Sequence, residues 1–176
     1  TAEMLIEELS SIHKRHFSDF RSDSASYVIA LFQDEKPMLA LHAGDCLMGR
    51  YDEEGPVDWL TQPHTLANAI NEIPVAEIAA SPLRNRLTRS FRAGEFMRPD
   101  VNAIGIESEA NFLVATDGFW AGIEPEGYHR FLSGKDLPAK ENQDDCSALV
   151  IRLRGNVSRN DFTGEPLENS YIATSG

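Results

Sequence analysis

A short apolar run, Phe112-Leu113-Val114-Ala115, ends abruptly in Thr116-Asp117-Gly118-Phe119 and leads into Trp120. Four consecutive apolar residues bounded by a polar turn predict a buried strand, and the glycine lets the backbone turn at once. The strand therefore delivers a carboxylate to its own C-terminal end. A second instance lies 27 residues further on, where Asp144-Asp145-Cys146-Ser147 opens the apolar run Ala148-Leu149-Val150-Ile151. One Asp-Gly after a strand also reads as an ordinary turn. Two strand ends that each carry an Asp match what a hard divalent cation requires, oxygen ligands on rigid elements.

Other segments extend the pattern. Ser26-Tyr27-Val28-Ile29-Ala30-Leu31-Phe32 predicts a strand, and Asp34-Glu35-Lys36 a polar turn. Met38 to Ala43 predicts a second strand, closed by Gly44-Asp45-Cys46. Together residues 26–60 read as a β-meander, punctuated also by Asp52-Glu53-Glu54-Gly55. Residues 2–20 read as an amphipathic helix, with Leu5, Leu9, Ile12, His16 and Phe20 recurring every three or four positions. A short helix is expected over 64–73, a hairpin over 100–107 and 111–116, and a helical stretch from Trp120 to Leu132. A polar loop should span 133–143 and a final strand 147–154. Long antiparallel strands with a few helices indicate an α+β fold. Residues 1–154 read as one domain and 155–176 as an irregular polar tail.

In this order the segments resemble the metal-dependent protein phosphatases of the PP2C type. Leu41-His42-Ala43-Gly44-Asp45-Cys46 resembles the family's "VGDS" stretch, and Leu60-Thr61-Gln62-Pro63-His64-Thr65-Leu66 its "LTxDHS". Leu87-Thr88-Arg89-Ser90-Phe91 resembles "LTRALG", and Pro99-Asp100-Val101 the "PDV" that opens a strand. Thr116 to Trp120 is similar to "SDGLW", and Asp144-Asp145-Cys146-Ser147 to "DNxT". The resemblance covers residues 26–153 and implies an α-β-β-α sandwich, two antiparallel sheets flanked by helices. It implies a phosphoprotein substrate and a binuclear Mn²⁺ or Mg²⁺ centre, which supplies hydroxide for in-line attack at phosphorus. It assigns Asp117 and Asp144 to the second metal. The family's "RxxNED" and "DGxGG" stretches, which hold the first metal, are not found here. The expectation is therefore a sandwich without its N-terminal strands, completed by a partner chain or another segment. The alternative is a pseudophosphatase that keeps the fold as an interaction module. Pro63 for Asp, Cys46 for Ser and Asp145 for Asn are departures in that direction.

The net charge of −12 argues against nucleic acid and anionic membrane as partners. No apolar run reaches the ~18 residues of a membrane span. Cys46 and Cys146 lack metal-ligand spacing and read as reduced thiols of a cytoplasmic protein. Asp45 is read as hydrogen-bonding the amides of its own turn, with metal ligation as the alternative. His64 is read as a structural or capping histidine, with general-acid work as the alternative. His13, His16 and His42 read as packing or surface residues. Arg84, Arg86, Arg89, Arg92 and Arg98 crowd one stretch of an acidic chain. They form either a substrate-facing basic strip or a solvated helix face paired with carboxylates.

Overall fold

The computed structural model describes residues 1–17, 23–33, 36–52, 55–107, 109–135 and 145–155. The tail 156–176, Asp144 and most of the 133–143 loop lie outside the described residues. Helix α1 (Ala2–His16) opens the chain. It ends earlier than its apolar periodicity predicts. Phe17 leaves helical geometry and packs edge-on against Phe91, with ring centroids 5.0 Å apart.

Among the described residues, nine strands follow in three sheets. β1 (Ser24–Ala25) and β6 (Phe91–Arg92) form a small ribbon. β2 (Tyr27–Leu31), β3 (Met38–Ala43) and β7 (Asp100–Ile104) form an antiparallel sheet in the order β2-β3-β7. β4 (Leu47–Arg50), β5 (Asp58–Trp59), β8 (Ala110–Ala115) and β9 (Ala148–Leu153) form another, in the order β5-β4-β8-β9.

The alternation of β8 explains how these sheets are layered. Phe112 and Val114 join Met38, Ala40 and Met48 in one core, which draws on both larger sheets. Leu113 and Ala115 point the other way, into a second core with Val75, Ile78, Phe119 and Trp120. Successive residues of a strand face opposite sides, so a strand apolar at every position is buried on both faces. The second core is closed by three helices: α2 (Val75–Ala79), α3 (Asp117–Trp120) and α4 (Pro125–Leu132).

Three expectations are corrected. Residues 26–60 are not one meander, because β3 and β4 belong to different sheets. Gly44, with φ +104°, turns the chain across the sandwich between them. Residues 100–107 and 111–116 are likewise not a hairpin: β7 pairs with β3, and β8 with β4 and β9. Residues 64–73 contain only a 3-10 turn, Leu66–Asn68. There the Asn68 side chain bonds back to Thr65 and to the Pro63 carbonyl, which closes the turn instead of continuing it.

Candidate metal centre

Asp117 stands at the end of β8, as the first residue of α3. The residue before it fixes this junction. Thr116 Oγ1 donates to the Asp145 carbonyl at 3.0 Å and accepts the Ser147 amide at 3.0 Å. The Thr116 amide donates to the Ser147 carbonyl at 3.0 Å. On the other side, Trp120 Nε1 donates to the Asp45 carbonyl at 2.7 Å. Three segments, 44–46, 116–120 and 145–147, are thus laced together at one end of the sandwich. Phe119 and Trp120 are buried and anchor the α3 turn in the helix-side core.

The Asp117 side chain is 22% exposed, and Arg84 Nη1 lies 3.3 Å from its Oδ2. Asp117 and Asp45 also act on Cys46. Burial, reinforced by these two carboxylates, pushes the Cys46 thiol up to about 11. The thiol is therefore protonated at neutral pH and is not a ready ligand. Cys146 is exposed. Asp45 does not use its carboxylate as expected, since its Oδ1 accepts the Ser26 hydroxyl at 2.6 Å.

Of the two carboxylates expected to bind metal, Asp117 follows the end of β8, and the neighbouring Thr116 is bonded to the segment 145–147. Asp144 lies outside the described residues. The oxygen chemistry of Asp117 fits a hard cation, and the half-buried carboxylate already draws a guanidinium to itself.

A second group was not read from the sequence. His42, His64 and Asp100 bring ligand-type atoms within 4.8 Å of one another. Their meeting follows from the β3–β7 register, which sets His42 opposite Asp100. The rings of His42 and His64 are 4.7 Å apart. His64 Nδ1 accepts the Gly44 amide at 3.1 Å, which leaves Nε2 protonated to donate to Asp100 Oδ2 at 2.9 Å. Arg89 pairs with Oδ1 of the same carboxylate. Burial raises the Asp100 pKa, but the hydrogen bonds from His64 and Arg89 and the Arg89 charge outweigh it and hold the group below its ordinary value. His42 is 2% exposed, and its Nδ1 has no partner among the described residues. Burial, then the neighbouring His64, lowers its pKa to about 4. A cation bound at His64 Nε2 would require the proton on Nδ1, facing the Gly44 amide. The hydrogen bonds therefore fit a structural dyad better than a ligand set.

The arginine stretch runs through turns and β6, not along a helix face. Arg84 pairs with Asp117, Arg89 with Asp100 and Arg98 with Glu3. The carboxylate-pairing reading holds for these three. His13 is buried, with Nε2 2.7 Å from the Arg92 carbonyl, and His16 is exposed.

Known structures share this fold. A PPM Ser-Thr phosphatase from Mycobacterium smegmatis, crystallised with cacodylate, superposes with a TM-score of 0.58 at 21% identity, covering 73% of this chain and 60% of that one. A serine/threonine phosphatase from Staphylococcus aureus gives 0.60 at 18% identity, covering 77% and 56%. The chain has the fold of the PPM/PP2C-type phosphatases. The catalytic domain of the serine/threonine phosphatase PstP, solved with two manganese ions, gives 0.51 at 14% identity, covering 69% and 51%. The PP2C-type fold is thus spanned over only 51% to 60% of these proteins' lengths. No family model and no curated protein sequence matches the chain. Among the described residues, no helix is long and apolar enough to cross a membrane.

Proposed function

We propose that residues 1–154 are part of a PP2C-type protein phosphatase domain and contribute its second-metal carboxylates, Asp117 and Asp144. One observation carries the reading. Asp117 sits half-buried at a strand end that Thr116 ties directly to the segment following Asp144. Bound Mn²⁺ or Mg²⁺ would supply a water acidified enough to act as hydroxide near neutral pH, and positive charge against the phosphoryl oxygens. The chain's own task is to hold carboxylate oxygens rigidly at one end of the sandwich. The buried Phe119 and Trp120 and the Thr116 bonds do this for Asp117. The substrate class is a phosphoserine or phosphothreonine protein. The thiols fit a cytoplasmic setting, where they stay reduced.

The test is metal-dependent hydrolysis of a small phosphoester by the intact protein. Turnover should need Mn²⁺ or Mg²⁺ and cease with a chelator. Asp117→Asn should abolish it while leaving the fold intact, because an amide lacks the charge the cation needs.

A second reading is an inactive PP2C-like interaction module. Arg84 on the Asp117 carboxylate favours it, since a guanidinium already balances the charge a metal would meet. Absent Mn²⁺ binding by the intact protein would decide for this reading.

A further inference from the structure

His64 is engaged at every polar atom it possesses. Its amide donates to the Gly44 carbonyl at 2.9 Å, and its carbonyl accepts the Thr88 amide at 2.9 Å. Its Nδ1 accepts the Gly44 amide at 3.1 Å, and its Nε2 faces Asp100 Oδ2 at 2.9 Å. Gly44 is therefore gripped at both its N–H and its C=O by one residue. Such a grip fixes a backbone that glycine would otherwise leave free to move, since φ +104° is one of many conformations open to glycine at little cost. The next residue, Asp45, receives the Trp120 indole on its carbonyl. Trp120 closes the four-residue turn that Asp117 opens, and its amide bonds the Thr116 carbonyl at 3.0 Å. An unbroken series of hydrogen bonds and adjacent peptides thus runs from Asp100 through His64, Gly44, Asp45 and Trp120 to Asp117.

We propose that His64, oriented by Asp100, is a positioning residue for the Asp117 carboxylate. It acts through the Gly44-Asp45 turn and the Trp120 indole and touches neither substrate nor metal. The inference rests on the metal reading of Asp117. The tautomer is central to it. Asp100 accepts the Nε2 proton, so Nδ1 presents its lone pair to the Gly44 amide. Arg89 on the second Asp100 oxygen keeps that carboxylate charged and oriented. His42, its ring tilted against that of His64, stays neutral above about pH 4 and adds no competing charge at neutral pH.

Two measurements on the intact protein test this: Mn²⁺ affinity by calorimetry, and hydrogen exchange of the Trp120 indole N–H by NMR, with Trp59 as the internal reference. His64→Ala should weaken Mn²⁺ binding about tenfold, the scale of losing an outer support of a metal ligand. It should also speed exchange at Trp120 and leave Trp59 unchanged. His64→Asn places an amide oxygen where Nδ1 stands and should retain affinity within about threefold. His64→Gln reaches toward Asp100 without an acceptor for Gly44. It should behave as the alanine variant does, and it serves in its place if that variant does not fold. Wild type that binds no Mn²⁺ would remove the metal reading. Wild type that binds it, with His64→Ala or His64→Gln equally tight, would overturn the role of His64 alone. Zn²⁺ stabilisation of the wild type that is lost in both His42→Ala and His64→Ala would make the trio a metal site and equally overturn the proposal.

Discussion

Arg84 Nη1 and Asp117 Oδ2 lie 3.3 Å apart, so a cation from the chain itself stands at the carboxylate proposed to hold metal. Both side chains are three-quarters or more covered. Screening by water is weaker there than at an exposed surface pair. A metal entering this site must compete with the guanidinium for the same oxygen. Arg84→Gln should therefore tighten Mn²⁺ binding by about two- to fivefold, the scale of a partly exposed ion pair. Calorimetric titration of the two proteins checks this. Weaker binding in the variant would mean that Arg84 orients the carboxylate instead of blocking it.

This pair marks where sequence reading stops. The position of Asp117 at a strand end was legible because an apolar run, a carboxylate and a glycine adjoin one another. Arg84 was not, because it comes from turns 33 residues earlier with no periodicity to give its direction. The strands themselves were legible from apolar runs and their punctuation. Their partners were not. β7 and β8 are neighbours in sequence and look like a hairpin, yet each pairs with a strand far from it. Pairing is decided by which faces share a core, and β8 serves two cores at once. The meeting of His64 with Asp100 has the same origin, since it exists only once the β3–β7 register is set.

Gly44 should resist substitution strongly. A Cβ there would overlap the Ser26 hydroxyl, and φ +104° is unfavourable for any L side chain. Gly44→Ala should cost about 1–3 kcal/mol from backbone strain, with the Ser26 clash adding to it. Urea unfolding measures the loss. A variant of wild-type stability would show that the turn can adopt another backbone path.

His42 gives stability a defined dependence on pH. Its folded pKa is near 4 because burial, first, and then His64 disfavour the charged ring. Unfolded, the ring titrates near its ordinary value of about 6.5. Between these values the unfolded chain holds a proton that the folded chain does not, so stability rises with pH across this window. The contribution is complete above about pH 6.5 and is lost as pH falls toward 4. From pH 7 to pH 5 it amounts to about 2 kcal/mol. Denaturant unfolding at both values should show a smaller loss for His42→Asn than for the wild type. Equal losses would assign the acid sensitivity to other groups. Asp100 acts in a separate window. Its depressed pKa contributes stability that is present above the ordinary carboxylate range and fades only as pH falls below it.

The final prediction concerns residues 1–176 by themselves. The carboxylates that the PP2C resemblance gives to the second metal are Asp117 and Asp144, and no "RxxNED" or "DGxGG" stretch occurs among these residues. A hard cation draws its affinity from several charged oxygens, so one held by two carboxylates and water binds weakly. Hydroxide formation also loses the second activating charge of a binuclear centre. The 176-residue chain should therefore hydrolyse a small phosphoester hardly at all, even in excess Mn²⁺. It should regain turnover when a segment that carries the missing ligands is supplied, in the same polypeptide or as a separate chain. Steady-state assays with and without that segment make the comparison. Robust Mn²⁺-dependent turnover by residues 1–176 alone would show that two carboxylates suffice, and it would place the remaining ligands within this sequence.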